Sequence, residues 1–431
     1  MKTVTKGSNE EKTMQKDADI NSDNNGKNNI NNNNNHASST TKRTLGQEAL
    51  ELHKKLHGKI EIRSKLSVRS PREISLAYTP GVAEVCLEIA ADKEKAYEYT
   101  SKRNNVAIVT DGTRTLGLGS LGPEAALPVM EGKALLYKEF GNVDAFPLCL
   151  KTSDAEEIIR TVKYISPIFG AINVEDIETP KALEITERLT EELDIPVFHD
   201  DQHGTAVVTL AAFLNAMRFT GRKPEGTSVV VAGAGSAGYG IAKILRAIGI
   251  TDMIVTDSHG VVSKDRPIGT MNKYKIELTT MTNVPDGVRS LNDAIKGKDV
   301  FIGVSGVKNL LTPAMVRSMN KDPIIFPLTN PDPEIHPKDA ADAGARVIAT
   351  GSYKFENRAN NALVFPFTMR AVLDNRIRKI TQPLLVAVAY ALADLIPQEE
   401  LRTFNIIPNV TDPRIQPAVD KAVQNLITAK N

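Results

Sequence analysis

The strongest constraint on the fold lies in VVVAGAGSAGYGIAKILRAIG, residues 229–249, where a β-branched run passes directly through Gly233-Ala234-Gly235-Ser236-Ala237-Gly238 into a helical pattern. Each glycine of such a turn has a physical task. The first permits the tight turn, the second lets backbone approach a pyrophosphate, and the third allows close helix–strand packing, while the helix N-terminus offers free N–H groups. Asp257 ends the next apolar run, DMIVTD, 22 residues after Gly235. A carboxylate there suits hydrogen bonds from an adenosine ribose. A glycine turn alone can merely pack; strand, helix and acid in register indicate a dinucleotide, NAD or NADP, without choosing between them.

The same alternation extends along most of the chain. VAIVT, VDAFPLCL, FGAINV and IPVF read as strands. Between them lie a helix opening at Pro123, a helix SDAEEIIRTVKYI whose Ser153 and Glu156 form a capping box, and a helix beginning at Thr179-Pro180. A further helix from about Gly204 to Thr220 leads to TSVVVAG, DMIVTD, DVFIGV, PIIFPL and ARVIAT, five more strand candidates separated by helical segments. Alternating strands and helices imply parallel sheets in an α/β fold. At 431 residues the chain exceeds the roughly 100–200 of one domain. The expected organisation is a leader over 1–42, an N-terminal α/β domain over 43–203, and a doubly wound Rossmann-type NAD(P)-binding domain over 204–431.

Composition narrows the partners. A net charge of +1 leaves no electrostatic footprint for nucleic acid or an anionic membrane. The longest apolar run, LLVAVAYALA, falls short of the roughly 18 residues of a membrane span. A small molecule is therefore the expected partner. Cys86 and Cys149 sit among apolar residues without a second cysteine or a histidine at metal spacing, so both are expected to be buried and reduced. Residues 21–35 contain ten asparagines and almost nothing apolar, so the leader is expected to be disordered. It has no apolar h-region, and its acidic residues argue against a transit peptide, so a cytoplasmic location is expected.

INVEDIE places Glu175 and Asp176 after one strand, and VFHDDQHGTA places Asp200 and Asp201 after another. Ligands gather at the carboxyl ends of parallel strands. Four carboxylates converging there would repel one another unless a cation or protonation relieved them, and oxygen ligands suit Mg²⁺ or Mn²⁺. Any one of these acids could instead cap a helix; two doublets at matching strand ends make the joint coincidence weak. His199 and His203 flank the cluster in packing or supporting positions.

Other polar residues stand in apolar surroundings. Tyr78 precedes Thr79-Pro80-Gly81, a rigid turn that would hold a phenol at a helix mouth. Lys133 lies in the apolar PVMEGKALLYKEF, where burial could depress its pKa and make it a base; a snorkelling lysine is the alternative. Arg114 follows a strand end in the glycine-rich VTDGTRTLGLGSLG and could close over an anion. Asn330 in PLTNP and Asn361 in RANNALVFP follow later apolar runs as neutral hydrogen-bonding groups.

As a set, SLAYTPGVA, VTDGTRTLGLGSLGPEAALPVMEGKALLYKEF, INVEDI, VFHDDQHGTA, AGAGSAG, LTNP and NNALVFP resemble the malic enzyme family in its short microbial form, from about Leu52 to the C-terminus. Ser120, where relatives often carry Asn or Asp, and the Asn-rich leader depart from that pattern. The resemblance implies NAD(P)-linked oxidative decarboxylation of L-malate to pyruvate and CO₂, a homodimer, and last helices that complete the cofactor domain. It also implies residue roles: Tyr78 as proton donor, Lys133 as general base, Asp200 as a supporting catalytic group, and Glu175, Asp176 and Asp201 as metal ligands. Arg114, Asn330 and Asn361 would hold malate and nicotinamide. Two rival readings remain, a metal-independent amino-acid or 2-hydroxyacid dehydrogenase and a non-catalytic dinucleotide-sensing module. The first needs no carboxylate cluster, and the second has no use for Lys133 and Tyr78.

Overall fold

The computed structural model describes residues 44–429, so the expected disorder of the leader lies outside the described residues. The chain divides into two compact units, 1–52 and 53–431. The described part of the first begins the helix Leu45–Leu56. Both sheets lie in the second.

One sheet is built from β1 (Asn105–Thr110), β2 (Asp144–Cys149), β3 (Ala171–Val174) and β4 (Val197–His199) in the order β2-β1-β3-β4. All its pairings are parallel. The other contains β5 (Val229–Ala232), β6 (Met253–Asp257), β7 (Gly260–Val261), β8 (Val300–Gly303), β9 (Ile324–Pro327) and β10 (Val347–Ile348) in the order β10-β9-β8-β5-β6-β7. Only β7 runs antiparallel, against β6. At two residues it is too short to carry a periodic signal, and the sequence reading missed it. Strand order reverses direction at β1 in the first sheet and at β5 in the second, which puts a ligand crevice beyond the carboxyl end of each.

The connecting helices follow their local chemistry, with small shifts from expectation. Pro123 opens the helix Pro123–Gly141, and Asn142 closes it in a left-handed conformation at φ 46°. The helix Ala155–Ile165 is capped by Asp154, whose side chain accepts from the Glu157 N–H at 2.9 Å, so the expected Ser153–Glu156 box is displaced by one residue because the helix begins one residue later than expected. Pro180 lies at the cap of the helix Lys181–Glu192, not inside its first turn.

From Ala206 to Met217 every residue of the helix Thr205–Thr220 is buried. A helix apolar on all sides must be enclosed, and this one packs between the helices Ser236–Ala247 and Gln382–Ala393. Its interior Asn215 is satisfied by donating to the carbonyls of Ala393 at 2.9 Å and Ile406 at 3.0 Å. The largest core cluster runs from Val106 through this helix to Val423, joining the two sheets. LLVAVAYALA contributes one face to it, with Tyr390 exposed on the other. Not all the last helices serve the second sheet: Phe365–Asp374 packs on Pro123–Gly141.

The cysteines are free but not buried as expected. Cys86 is exposed because no residue of its helix, Val82–Ala91, is buried, and Cys149 is half-buried because β2 is an edge strand. The segment 71–91 is apolar and long enough, by length and composition only, to cross a membrane. It is divided at 78–81 into helices of 7 and 10 residues. Each piece is shorter than the about 20 residues that a spanning helix needs.

Candidate active site

Lys133 points inward from the Pro123–Gly141 helix and is only 7 % exposed. Its Nζ lies 2.6 Å from Asp200 Oδ2 and 2.8 Å from Glu175 Oε2, and 4.1 Å from the centre of the Phe365 ring. This corrects both sequence alternatives. The lysine does not snorkel, and its pKa is raised: burial alone would lower it, but Asp200 and Glu175 together outweigh burial. A layer of polar residues supports Glu175 from below. The fully buried Tyr137, one turn after Lys133, donates to Asn173 Oδ1 at 2.6 Å, and Asn173 donates to Glu175 Oε2 at 2.8 Å.

Asp200 owes its place to an unusual local turn. β4 ends at His199, and residues Asp200–Gly204 form one π-helical turn before the Thr205–Thr220 helix. A Cβ at Gly204 would stand 2.3 Å from Asp200 Oδ1, which explains the glycine of HDDQHG. Asn361 arrives from the far end of the chain and donates to Asp200 Oδ2 at 3.0 Å. Lys133, Asp200 and Asn361 are therefore brought together as one hydrogen-bonded group.

Asp176 occupies a left-handed backbone conformation at φ 49°. Its Oδ2 accepts from the Leu116 N–H at 3.3 Å, and its carbonyl accepts from the Arg114 N–H at 3.1 Å, so the loop after β1 is tied to the loop after β3. Burial and the neighbouring Asp201 push the Asp176 carboxyl up to about 7. Glu175 is pushed well above the usual carboxylate range by burial and by Asp200, Asp176 and Asp201, with Lys133 opposing. Asp201 is one-third exposed, with Oδ2 3.8 Å from Nε2 of the fully buried His199. His203 Nδ1 accepts from the His199 N–H at 3.1 Å.

Four acids thus face one lysine, an excess of negative charge with oxygen donors only. Charge and donor type suit a hard divalent cation. Their oxygens are not gathered for one, however: among the described residues no three Asp, Glu, His or Cys side chains form a ready metal site. Glu175 is turned onto Lys133, and Asp176 onto Leu116.

Across from this cluster, the glycine turn follows β5. Gly233 has φ +123°, and a Cβ there would meet Val304 O at 2.5 Å; at Gly238 it would meet Gly233 O at 1.7 Å. Ala234 is buried, and Ser236 and Ala237 begin the Ser236–Ala247 helix. Gly235 opens toward the first sheet: its nearest neighbours are Arg114 Nη1 and Thr179 Oγ1, at 3.5 and 3.6 Å from where a Cβ would be. Thr179 Oγ1 also accepts from the Ser236 N–H at 3.1 Å. Arg114 therefore links the acidic cluster to the dinucleotide turn. Asn330 lies beside Gly351 and Gly117 in the same crevice.

Two expectations fare differently. Asp257 does end β6, but its carboxylate already holds Lys275 and Arg266 at 2.7 and 3.1 Å. Tyr78 is 71 % exposed, and its hydroxyl has no hydrogen-bond partner among the described residues, so the structure does not bring it to Lys133. Sequence reading missed Asn173, Tyr137, Thr179 and Phe365. Asn173, an amide inside the apolar run AINV, was the one available signal.

The two sheets, the glycine turn and the crevice define a two-domain α/β oxidoreductase with a Rossmann-type NAD(P)-binding half. Residues 57–157 match the N-terminal domain of malic enzymes, and residues 202–424 match the malic enzyme NAD-binding domain. The bifunctional malic/malolactic enzyme of Bacillus subtilis (strain 168) is 50% identical over 380 residues, 88% of this chain and 92% of that one. The NAD-dependent malic enzyme of Geobacillus stearothermophilus is 50% identical over 367 residues, 85% of this chain and 76% of that one. The crystal structure of the NAD-dependent malic enzyme of Thermotoga maritima superposes with a TM-score of 0.83 at 45% identity, covering 87% of this chain and 98% of that one. The chain belongs to the malic enzyme family.

Proposed function

We propose that the chain converts L-malate and NAD⁺ or NADP⁺ to pyruvate, CO₂ and the reduced dinucleotide, with Mg²⁺ or Mn²⁺ at the acidic cluster. The observation that carries this reading is the buried Lys133, held by Asp200 and Glu175, in a cluster from which Arg114, bonded to Asp176 through its backbone, extends to Gly235 of the dinucleotide turn. Names of the 50% identical relatives support the substrate.

A base must be neutral, and Lys133 in this structure is an ammonium. Its proton has a nearby acceptor in Asp200 Oδ2, itself fixed by Asn361. Once neutral, Lys133 takes the proton of the malate C2 hydroxyl. Bound at the glycine turn, a nicotinamide would supply the acceptor for the C2 hydride. Arg114 grips a malate carboxylate, and Asn330 and Asn361 fix the orientation of substrate and nicotinamide. Glu175, Asp176 and Asp201 would hold the cation, Glu175 by turning from Lys133. Such a cation would supply Lewis acidity toward a keto oxygen and so stabilise the negative charge that loss of CO₂ leaves behind. Tyr78 supplies the proton that C3 needs to give pyruvate.

That last role requires the exposed face around Tyr78 to close over a Lys133 site. Ile60, Ile62, Leu66, Val68, Ile74, Leu76 and Leu87 are exposed on the same segment. A second copy of the chain covering this surface accounts for both facts, and a homodimer is part of the proposal. Two free thiols are consistent with a cytoplasmic setting.

The test is pyruvate and NAD(P)H formation from malate with Mn²⁺, before and after exhaustive chelation. Equal amounts of both products, lost on chelation and restored by Mn²⁺, are expected. Turnover that survives chelation would instead establish a metal-independent dehydrogenase, and dinucleotide binding without turnover a sensing module.

A further inference from the structure

The second glycine of a dinucleotide turn leaves room for a diphosphate, but here that room is filled from within the chain. Where a Cβ at Gly235 would stand, the nearest atoms are Arg114 Nη1 at 3.5 Å and Thr179 Oγ1 at 3.6 Å, both from loops of the first sheet. Thr179 makes the closer engagement. Its Oγ1 accepts from the Ser236 N–H at 3.1 Å and lies 2.7 Å from Ser236 Oγ. The first N–H groups of a helix have no partner within it, and the residue before the Ser236–Ala247 helix is Gly235, which has no side chain to cap them. A threonine 57 residues upstream supplies the acceptor instead. Those same N–H groups are what a diphosphate uses at a helix N-terminus. One donor, where a phosphate oxygen is expected, is thus already engaged by a hydroxyl of the first half.

Thr179 is fixed from its own side. The Glu178 N–H donates to Thr113 Oγ1 at 3.0 Å. Asp111 accepts from the Thr113 N–H at 2.9 Å through Oδ1 and pairs with Lys181 at 2.6 Å through Oδ2. Farther along the Lys181–Glu192 helix, Glu187 reaches the second half as well: its Oε2 lies 2.6 Å from Lys273 Nζ and accepts from the Tyr274 hydroxyl at 3.0 Å. Two contacts therefore run from this segment to the second half. Only the one at Thr179 uses a group that a dinucleotide needs.

We propose that the Thr179 hydroxyl stands in for a phosphate oxygen and latches the glycine turn in the free protein, so that a dinucleotide docks its diphosphate only after displacing Thr179 from Ser236. This rests on the dinucleotide-dependent reading above and adds a control on access to that site. Only the fraction of molecules whose Ser236 N–H is released is competent, so the apparent affinity for every ligand that carries a diphosphate is lowered by the same factor. NAD, NADP and ADP share that penalty.

The experiment is a fluorescence titration of the full-length chain with NADH, without malate or metal, and its competition by ADP, for the parent, Thr179→Val, Thr179→Ser and Glu187→Gln. Thr179→Val keeps the shape and removes the acceptor, so NADH and ADP are both expected to bind on the order of fivefold tighter, the worth of one helix cap. Thr179→Ser keeps the hydroxyl and is expected to match the parent. Glu187→Gln breaks only the exposed outer contact and is expected to change neither affinity by more than about twofold. Unchanged NADH binding by Thr179→Val would overturn the proposal, and weaker binding would overturn it by making the hydroxyl a phosphate ligand. Equal tightening in Glu187→Gln would trace the effect to general loosening of the two halves, and tightening of NADH without ADP would place it away from the diphosphate; either result also overturns the latch. Thr179→Ala, which lacks the hydroxyl and adds no bulk, keeps the test decisive if Thr179→Val fails to fold. A parent that binds neither NADH nor ADP overturns the dinucleotide-dependent reading itself.

Discussion

Lys133 Nζ and Asp200 Oδ2 lie 2.6 Å apart, both side chains nearly buried, and the hydrogen at Gly204 is what leaves Asp200 room to stand there. A methyl group at 204 would fall 2.3 Å from Asp200 Oδ1. Gly204→Ala should therefore displace the carboxylate and lower malate turnover on the order of 10²-fold, the usual cost of a 1 Å misplacement. NADH binding should be less affected, since Gly204 contacts Asp200 and Asn361 whereas the Gly233–Gly238 turn is held by Val304 and Thr179. Steady-state kinetics and an NADH titration check both halves; parental turnover would show that Asp200 tolerates the shift.

Tyr137→Phe removes one hydroxyl without opening a large cavity, but it leaves Asn173 Oδ1 without its 2.6 Å donor in a fully buried layer. An unsatisfied buried acceptor costs about 1–3 kcal/mol. Urea unfolding should show a loss in that range, and Mn²⁺ affinity should fall because Glu175 loses its indirect support. An unchanged midpoint would mean that water replaces the hydroxyl.

Burial, with help from His199 and Lys243, lowers the His203 pKa from 6.5 to about 3. Its sign follows from linkage: between these values the unfolded chain binds a proton that the folded chain refuses, so folding stability declines as pH falls from 6.5 toward 3. Above 6.5 both states are neutral and the contribution is flat. The ceiling is about 1.4 kcal/mol per pH unit, reduced by the partial exposure of the ring. His203→Gln should flatten the pH dependence of the unfolding midpoint over this window; an identical profile would remove His203 as its source.

At Gly238 the constraint is harder, since a Cβ would overlap Gly233 O at 1.7 Å. Gly238→Ala should abolish dinucleotide binding by forcing helix and strand apart. Mn²⁺ binding, followed by electron paramagnetic resonance, should remain. Loss of both would place the two sites on one cooperative element.

Much of this was legible in the sequence because parallel sheets announce themselves. β1, β5, β6 and β8 are runs dominated by apolar residues and followed or ended by glycine or acid, and GAGSAG has few alternatives once strand and helix flank it. Residues brought together from distant segments were less legible. The 2.6 Å contact joining Lys133 to Asp200 spans 67 residues and reversed the expected pKa shift, because burial was readable locally and the two counter-charges were not. Likewise Asp257 was readable as a strand-end acid, whereas its engagement with Arg266 and Lys275 depends on a loop and a helix with no periodic link to it. Tyr78 carries the opposite lesson: its motif was legible, but its place on an exposed helical segment depends on what covers that segment.

The most direct test of the account is malate turnover by Lys133→Ala beside the parent, at saturating dinucleotide and Mn²⁺, with NADH affinity measured in parallel. The account predicts that turnover falls by roughly 10²–10⁴-fold, the contribution of a positioned general base, while NADH affinity is retained. Parental turnover by Lys133→Ala would contradict it, since no other buried base stands within hydrogen-bond reach of Asp200 among the described residues.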